Sequence, residues 1–216
     1  MKRAILLGSL AILLGLGSSS ASADTIFTLT QQACSSNCGA GPFGTVTLAQ
    51  SGSNVDVTVA LANIGNLRFA GTGAGESLEF NVLNAVKTDI TNVSSGFIVG
   101  PAPASASAFG SFLFSIECTA CQGGQAGNTK GPLSFTVQNA LISDFVANAG
   151  GYYFASDIAI DLNNVVRTGN VAGNTAGTPG GEINPTGSPV PEPSSLMLFG
   201  TGVTALGGLI RRRMTA

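Results

Sequence analysis

The sequence predicts an all-β body, a β-sandwich of roughly seven to nine short antiparallel strands, carried between a cleavable N-terminal signal helix and a C-terminal transmembrane helix. Three observations lead there. Apolar and polar residues alternate at a period of two in several short runs, separated by Gly-, Ser- and Asn-rich turns. No internal repeat recurs, which argues against a β-helix. The two longest apolar runs of the 216 residues lie near its two ends, outside the alternating region.

Residues 1–23 read as a secretory signal peptide. Lys2 and Arg3 supply a positive start, residues 4–16 are apolar, and Ala21-Ser22-Ala23 forms an A-x-A cleavage pattern with Asp24 as the new N-terminus. Such a helical run reaches only about 20 Å, short of a ~30 Å hydrocarbon core. A removed leader therefore fits better than a retained anchor, and the secretion machinery is the first expected partner. Everything after Ala23 is expected to fold outside the cytoplasm.

Residues 24–168 are expected to form the body. Its plainest hairpin joins 45–50 to 54–61 through Ser51-Gly52-Ser53. Val55, Val57, Val59 and Leu61 share one face, and Asp56, Thr58 and Ala60 the other. The same alternation places Phe112, Phe114 and Ile116 together, and likewise Leu133, Phe135 and Val137. In the long run 152–162, Phe154, Ile158, Ile160 and Leu162 point one way, and Tyr153, Asp157 and Asp161 the other. Weaker strand signals cover 25–30, 67–70, 78–83 and 97–99. Only 139–148 suggests a helical turn, through Leu141, Ile142, Phe145 and Val146. Eleven of the twelve Phe fall in this body and can fill its core.

The four cysteines form two close pairs, Cys34/Cys38 and Cys118/Cys121. An even count in an exported protein favours disulfides, and the reading prefers two local bridges that hold Gly- and Ser-rich loops. A long-range pairing and a zinc site of four thiolates are the alternatives. Glu117 before Cys118 and the glycines after Cys121 argue against a redox C-x-x-C, which needs a helix N-terminus.

Residues 169–190 are Gly-, Asn-, Thr- and Pro-rich without periodicity and read as a flexible linker. Residues 191–216 then carry Pro191-Glu192-Pro193, an apolar stretch 194–210, and Arg211-Arg212-Arg213. Seventeen helical residues reach about 25 Å, enough for a thin bilayer. The arginines would stay on the cytoplasmic side and the body on the other. Gly200, Thr204 and Gly208 form a row of small residues along that helix.

This tail resembles the PEP-CTERM sorting signal of Gram-negative bacteria, with P-E-P, apolar helix and Arg cluster in order. The resemblance implies processing near the P-E-P by an exosortase, a membrane-embedded peptidase. It also implies an inner-membrane precursor with a periplasmic body, and delivery to the cell surface or the extracellular matrix. Co-production with exopolysaccharide and biofilm machinery is a further implication of the family.

Composition removes several function classes. Residues 24–188 hold four basic and ten acidic side chains, a net charge of −6, so no basic face is offered to nucleic acid. There is no His and no Trp, so no Ser-His-Asp triad can be built. Gly39-Ala40-Gly41-Pro42-Phe43-Gly44 matches G-x-G-x-x-G but precedes a strand and opens no helix, so no dinucleotide site is read there. No cofactor, no bound metal and no catalytic residue is expected.

Carboxylates remain. Glu76, Glu79 and Glu117 could join a constellation, but nothing in the sequence connects them. A calcium site from Asp157, Asp161, Asn163 and Asn164 competes with a solvated strand face and a turn, and the latter is preferred. Tyr152 and Tyr153 point to opposite faces, so at most one can serve as a sugar platform. The expectation is an exported, non-enzymatic surface or matrix protein. A carbohydrate-binding module and a carboxylate-dependent secreted hydrolase are the alternatives.

Overall fold

The hairpin read at 45–61 forms as the alternation requires, and the rest of the sheet is built outward from it. The computed structural model describes residues 24–71, 76–121, 129 and 131–173. The signal peptide with Ala21 and Ala23, the linker beyond Gly173, and the tail with its expected membrane helix lie outside these described residues.

Among the described residues thirteen strands follow in chain order: β1 Thr25–Cys34, β2 Gly44–Ser51, β3 Asn54–Leu61, β4 Arg68–Phe69, β5 Leu78–Phe80, β6 Ile90–Thr91, β7 Phe97–Val99, β8 Ala104–Ser105, β9 Ser111–Phe112, β10 Phe114–Cys118, β11 Leu133–Val137, β12 Phe154–Leu162 and β13 Val165–Gly173. Eleven form one antiparallel sheet, in the order β6-β11-β3-β2-β1-β13-β12-β5-β10-β7, with β4 also on β12. β8 and β9 form a separate hairpin.

The expected all-β class is present, but one continuous sheet replaces two stacked ones, and the strands outnumber the expected seven to nine. The edge strands β6 and β7 are consecutive in the chain, so the sheet curls until the short segment between them bridges the gap. Ser94 N–H donates to the Ser134 carbonyl beside β11 at 2.8 Å, and Thr119 N–H donates to the Gly96 carbonyl beside β10 at 3.0 Å. Opposite walls of the curled sheet then play the two layers of a sandwich. Phe80 of β5 meets Phe135 of β11 at a ring separation of 5.1 Å, and Phe69 meets Phe97 edge-on at 5.3 Å.

Most of the set that the alternation selects forms the core, but Phe112, read with Phe114 and Ile116, packs instead in the outer cluster, and Leu61 and Leu162 are only partly buried. Val55, Val57, Val59, Leu133, Phe135, Val137, Phe154, Ile158 and Ile160 are all buried. Each such side chain contributes about 1.5–3 kcal/mol by leaving water. The helical turn suggested at 139–148 is a single 3-10 turn, Ile142–Asp144, whose Asp144 carboxylate accepts the Leu141 N–H at 2.7 Å.

Strand β13 is the main departure. Its last residues, 169–173, have the composition of linker, yet β13 lies inside the sheet between β1 and β12. The glycines are there for space. A Cβ on Gly169 would stand 2.5 Å from the Cys34 Cα, and one on Gly173 would stand 3.2 Å from the Thr28 carbonyl oxygen.

Beyond the main sheet, the β8–β9 hairpin and the 3-10 turn Ser107–Phe109 cover part of the sheet's outer face. Ala106, Phe109 and Phe112 pack there against Ala155 and Ala172, with Tyr152 at the margin. This cover is what creates a buried polar site on a face that alternation alone would leave to solvent.

Candidate functional site: a buried carboxyl cluster and a sorting tail

Register brings the scattered acids together. Glu79 of β5 stands opposite Ser115 of β10 on one side and Ala155 of β12 on the other. Directly opposed residues share a face, and so do residues two apart on a strand. Glu79, Glu117 and Asp157 therefore lie on the same outer face of three adjacent strands. Glu76 closes the group, because Asp157 N–H donates to its carbonyl at 2.8 Å and its own N–H donates to Glu79 Oε1 at 2.7 Å.

The backbone around the cluster is pinned by hydroxyls. Ser77 Oγ accepts the Cys118 N–H at 3.0 Å and donates to the Ala70 carbonyl at 3.2 Å. Ser156 Oγ donates to the Ser77 carbonyl at 2.6 Å, and Ser115 Oγ donates to the Pro101 carbonyl at 2.8 Å. Gly100 lies so close above β10 that a Cβ would fall 2.4 Å from Ser115 Oγ and 2.8 Å from Glu117 Cγ.

Glu79 and Asp157 are both 0% exposed. Burial pushes the Glu79 carboxyl well above the usual carboxylate range; the Glu76 N–H opposes this, and the charges of Asp157 and Glu76 add to it. The half-buried Glu76 is raised to about 7, first by burial and then by the charges of Glu117 and Asp157. Oε2 of Glu79 is buried without a hydrogen-bond partner, and so is Nδ2 of Asn170, directly across from Asp157 on β13. The preferred solvated strand face is thus corrected at Asp157, which the overlying chain removes from water.

The calcium arrangement is not what forms. Asp161 accepts from Arg68 Nη1 at 2.9 Å and from Asn66 Nδ2 at 2.8 Å. Asn163 and Asn164 make the two-residue turn between β12 and β13, both at positive φ, 54° and 63°. Among the described residues no group of three or more His, Cys, Asp or Glu could hold a metal ion. The tyrosines are both half-buried, Tyr152 against Phe109 at 4.9 Å and Tyr153 against Phe27 at 5.0 Å.

Both local disulfides form, Cys34–Cys38 and Cys118–Cys121. They hold more than loops. Cys34 ends β1 and Cys118 ends β10, and Cys38, Cys118 and Cys121 are part of the core. Arg167 of β13 donates to the carbonyls of Ser36 and Asn37, tying the first bridged loop to the sheet.

Sequence reasoning names Glu76, Glu79 and Glu117 without joining them, and places Asp157 elsewhere. It passes over Ser77, Ser115, Ser156 and Asn170. Only the pairing of β5 with both β10 and β12 assembles the set, and no spacing in the sequence encodes that. Among the described residues no helix is long and apolar enough to cross a membrane.

Residues 189–213 match the family model of the PEP-CTERM protein-sorting motif. The match spans Pro191-Glu192-Pro193, the apolar stretch and the three arginines. It marks the chain as carrying the tail on which exosortase-dependent sorting to the cell surface acts. No curated protein and no solved structure matches the chain.

Proposed function

We infer that the protein is a non-catalytic passenger of the exosortase route, an exported β body held as an inner-membrane precursor and then released to the cell surface or matrix. The sorting motif at 189–213 carries this reading. The signal-peptide pattern at 1–23 supports it independently, and two disulfides suit a body that folds in an oxidising compartment. On this reading the body serves the exopolysaccharide matrix structurally, and the linker beyond β13 presents the Pro-Glu-Pro to the membrane peptidase. Replacing Pro191, Glu192 and Pro193 together by Ala tests it in a host that carries the exosortase. The variant should accumulate in the inner-membrane fraction while the wild type reaches the surface; equal surface delivery would overturn the reading.

One observation favours a second reading, the carboxylate-dependent hydrolase. Glu76 is raised to about 7 beside three other acids, the range in which a general acid or base works best. Hydrolysis of polysaccharide or peptide panels that Glu76→Gln abolishes would establish it, whereas activity unchanged in that variant would remove it. The carbohydrate-binding alternative has less behind it, since Tyr153 packs on Phe27.

A further inference from the structure

We propose that the carboxyl cluster makes the β5–β12 seam a proton-operated latch, closed when its glutamic acids are protonated and loosened as they ionise. The seam is short, and beyond its two paired positions it is held by Asp157 N–H on the Glu76 carbonyl and Ser156 Oγ on the Ser77 carbonyl. β5 is three residues long, and only Phe154↔Phe80 and Ala155↔Glu79 pair it with β12. Around it, β12 and β13 run together for nine residue pairs, and β2 and β3 for eight.

Among the described residues, little compensates ionisation of Glu79. The side chain is fully buried, its Oε1 is already used by the Glu76 N–H, and its Oε2 has no hydrogen-bond partner. The neighbouring strands add acids, Glu117 from β10 and Asp157 and Asp161 from β12. β7 offers Ile98 opposite Glu117 and no charge, and β13 offers the neutral Asn170 opposite Asp157. The cations on the strands paired with β12 are Arg68 of β4, committed to Asp161 and to the Asn66 carbonyl at 2.9 Å each, and Arg167 of β13, which donates to the Ser36 and Asn37 carbonyls. Glu76 is raised to about 7 and burial holds Glu79 well above the usual carboxylate range, so both keep their protons in the closed seam at pH values where an exposed carboxyl has lost its own.

Linkage fixes the direction. An open seam returns these groups to ordinary values near 4.5, so opening releases protons and is favoured as pH rises from there. The opening equilibrium grows by up to about tenfold per pH unit for each proton released. The hairpin β2–β3 carries only the exposed Asp56 and no buried carboxyl, and serves as an internal reference. An exported body would thereby carry a segment whose protection reports the acidity outside the cell.

Hydrogen–deuterium exchange on the secreted, disulfide-bonded protein at pH 5.5, 6.5 and 7.5, corrected for intrinsic exchange, tests this. Peptides covering 76–82 and 154–158 should lose protection by about tenfold per pH unit relative to 45–61. In Glu79→Gln and in Glu76→Gln the slope should fall. Carboxyl-carbon NMR of the wild type covers the case in which neither variant folds, and should show a glutamate titrating near 7. Equal pH response in 76–82 and 45–61, an unchanged slope in both variants, or all glutamates titrating near 4.5 would each overturn the latch.

Discussion

Glu79 and Asp157 stand on the same face of the neighbouring strands β5 and β12, both fully buried, with Glu79 opposite Ala155 and Asp157 two residues further along. Two acids so placed oppose each other's ionisation, and burial together with the neighbouring charges of Asp157 and Glu76 raises the Glu79 carboxyl well above the usual carboxylate range.

The pH dependence of global stability arises from that relationship. Glu76 and Glu79 are both raised in the fold, so they bind protons where the unfolded chain has already lost them. Their contribution is intact below about 4.5 and is lost as pH rises, through about 7 for Glu76 and through the raised range of Glu79. Thermal unfolding should give a higher Tm at pH 5 than at pH 8. Glu79→Gln should be more stable than wild type at pH 8, by a margin growing at up to about 1.4 kcal/mol per pH unit. A Tm that rises from pH 5 to pH 8 would contradict this.

Gly100 should not tolerate a side chain. Gly100→Ala puts a Cβ against Ser115 Oγ and Glu117 Cγ, on strand β10 where the backbone has little room to move. Urea unfolding should show a loss of roughly 1–3 kcal/mol. Gly52→Ala, where nothing lies within 4 Å but φ is +62°, isolates the backbone cost of that substitution, and should lose only about 1 kcal/mol.

Arg68 is 6% exposed and holds both Asp161 and the Asn66 carbonyl. Arg68→Ala strips the Asn66 carbonyl and the Asp161 carboxylate of their donor and should cost about 1–3 kcal/mol in the same assay. Asp161→Asn should cost under about 1 kcal/mol, because water reaches that side chain.

The two disulfides should differ in worth. Each closes a short loop, for which chain entropy gives about 2 kcal/mol. Cys34/Cys38→Ser should lose about that much. Cys118/Cys121→Ser should lose more, since it leaves two hydroxyls in the core where the first pair leaves one, at Cys38. Peptide mapping without reductant should recover only the pairs Cys34–Cys38 and Cys118–Cys121. Complete unfolding on Cys34→Ser alone would mean that this bridge ties distant strands.

Alternation makes the inner face legible, because period two leaves the same mark wherever one side of a strand is buried. Val55 to Leu61 and Leu133 to Val137 need nothing else. Two things leave no such mark. β13 looks like linker because Gly169 and Gly173 are chosen for close approach rather than for a pleated apolar face. The curl of the sheet depends on Ser94 and Gly96 meeting strands far away in sequence. The carboxyl cluster falls in the same gap, since Asp157 reads as solvent-facing until Gly100, Pro101 and the β8–β9 hairpin are known to lie over that face. The sorting tail is the opposite case, a linear signal read in order along the chain.

If this β body is a processed passenger of exosortase-dependent sorting, the intact mass of the protein recovered from the cell surface tests it most directly. The expected chain begins at Asp24 and lacks most of the segment after Pro191-Glu192-Pro193, with four cysteine hydrogens missing for two disulfides. A surface form that keeps the apolar stretch and Arg211-Arg212-Arg213 through Ala216 would contradict it, and would leave the tail as a plain membrane anchor.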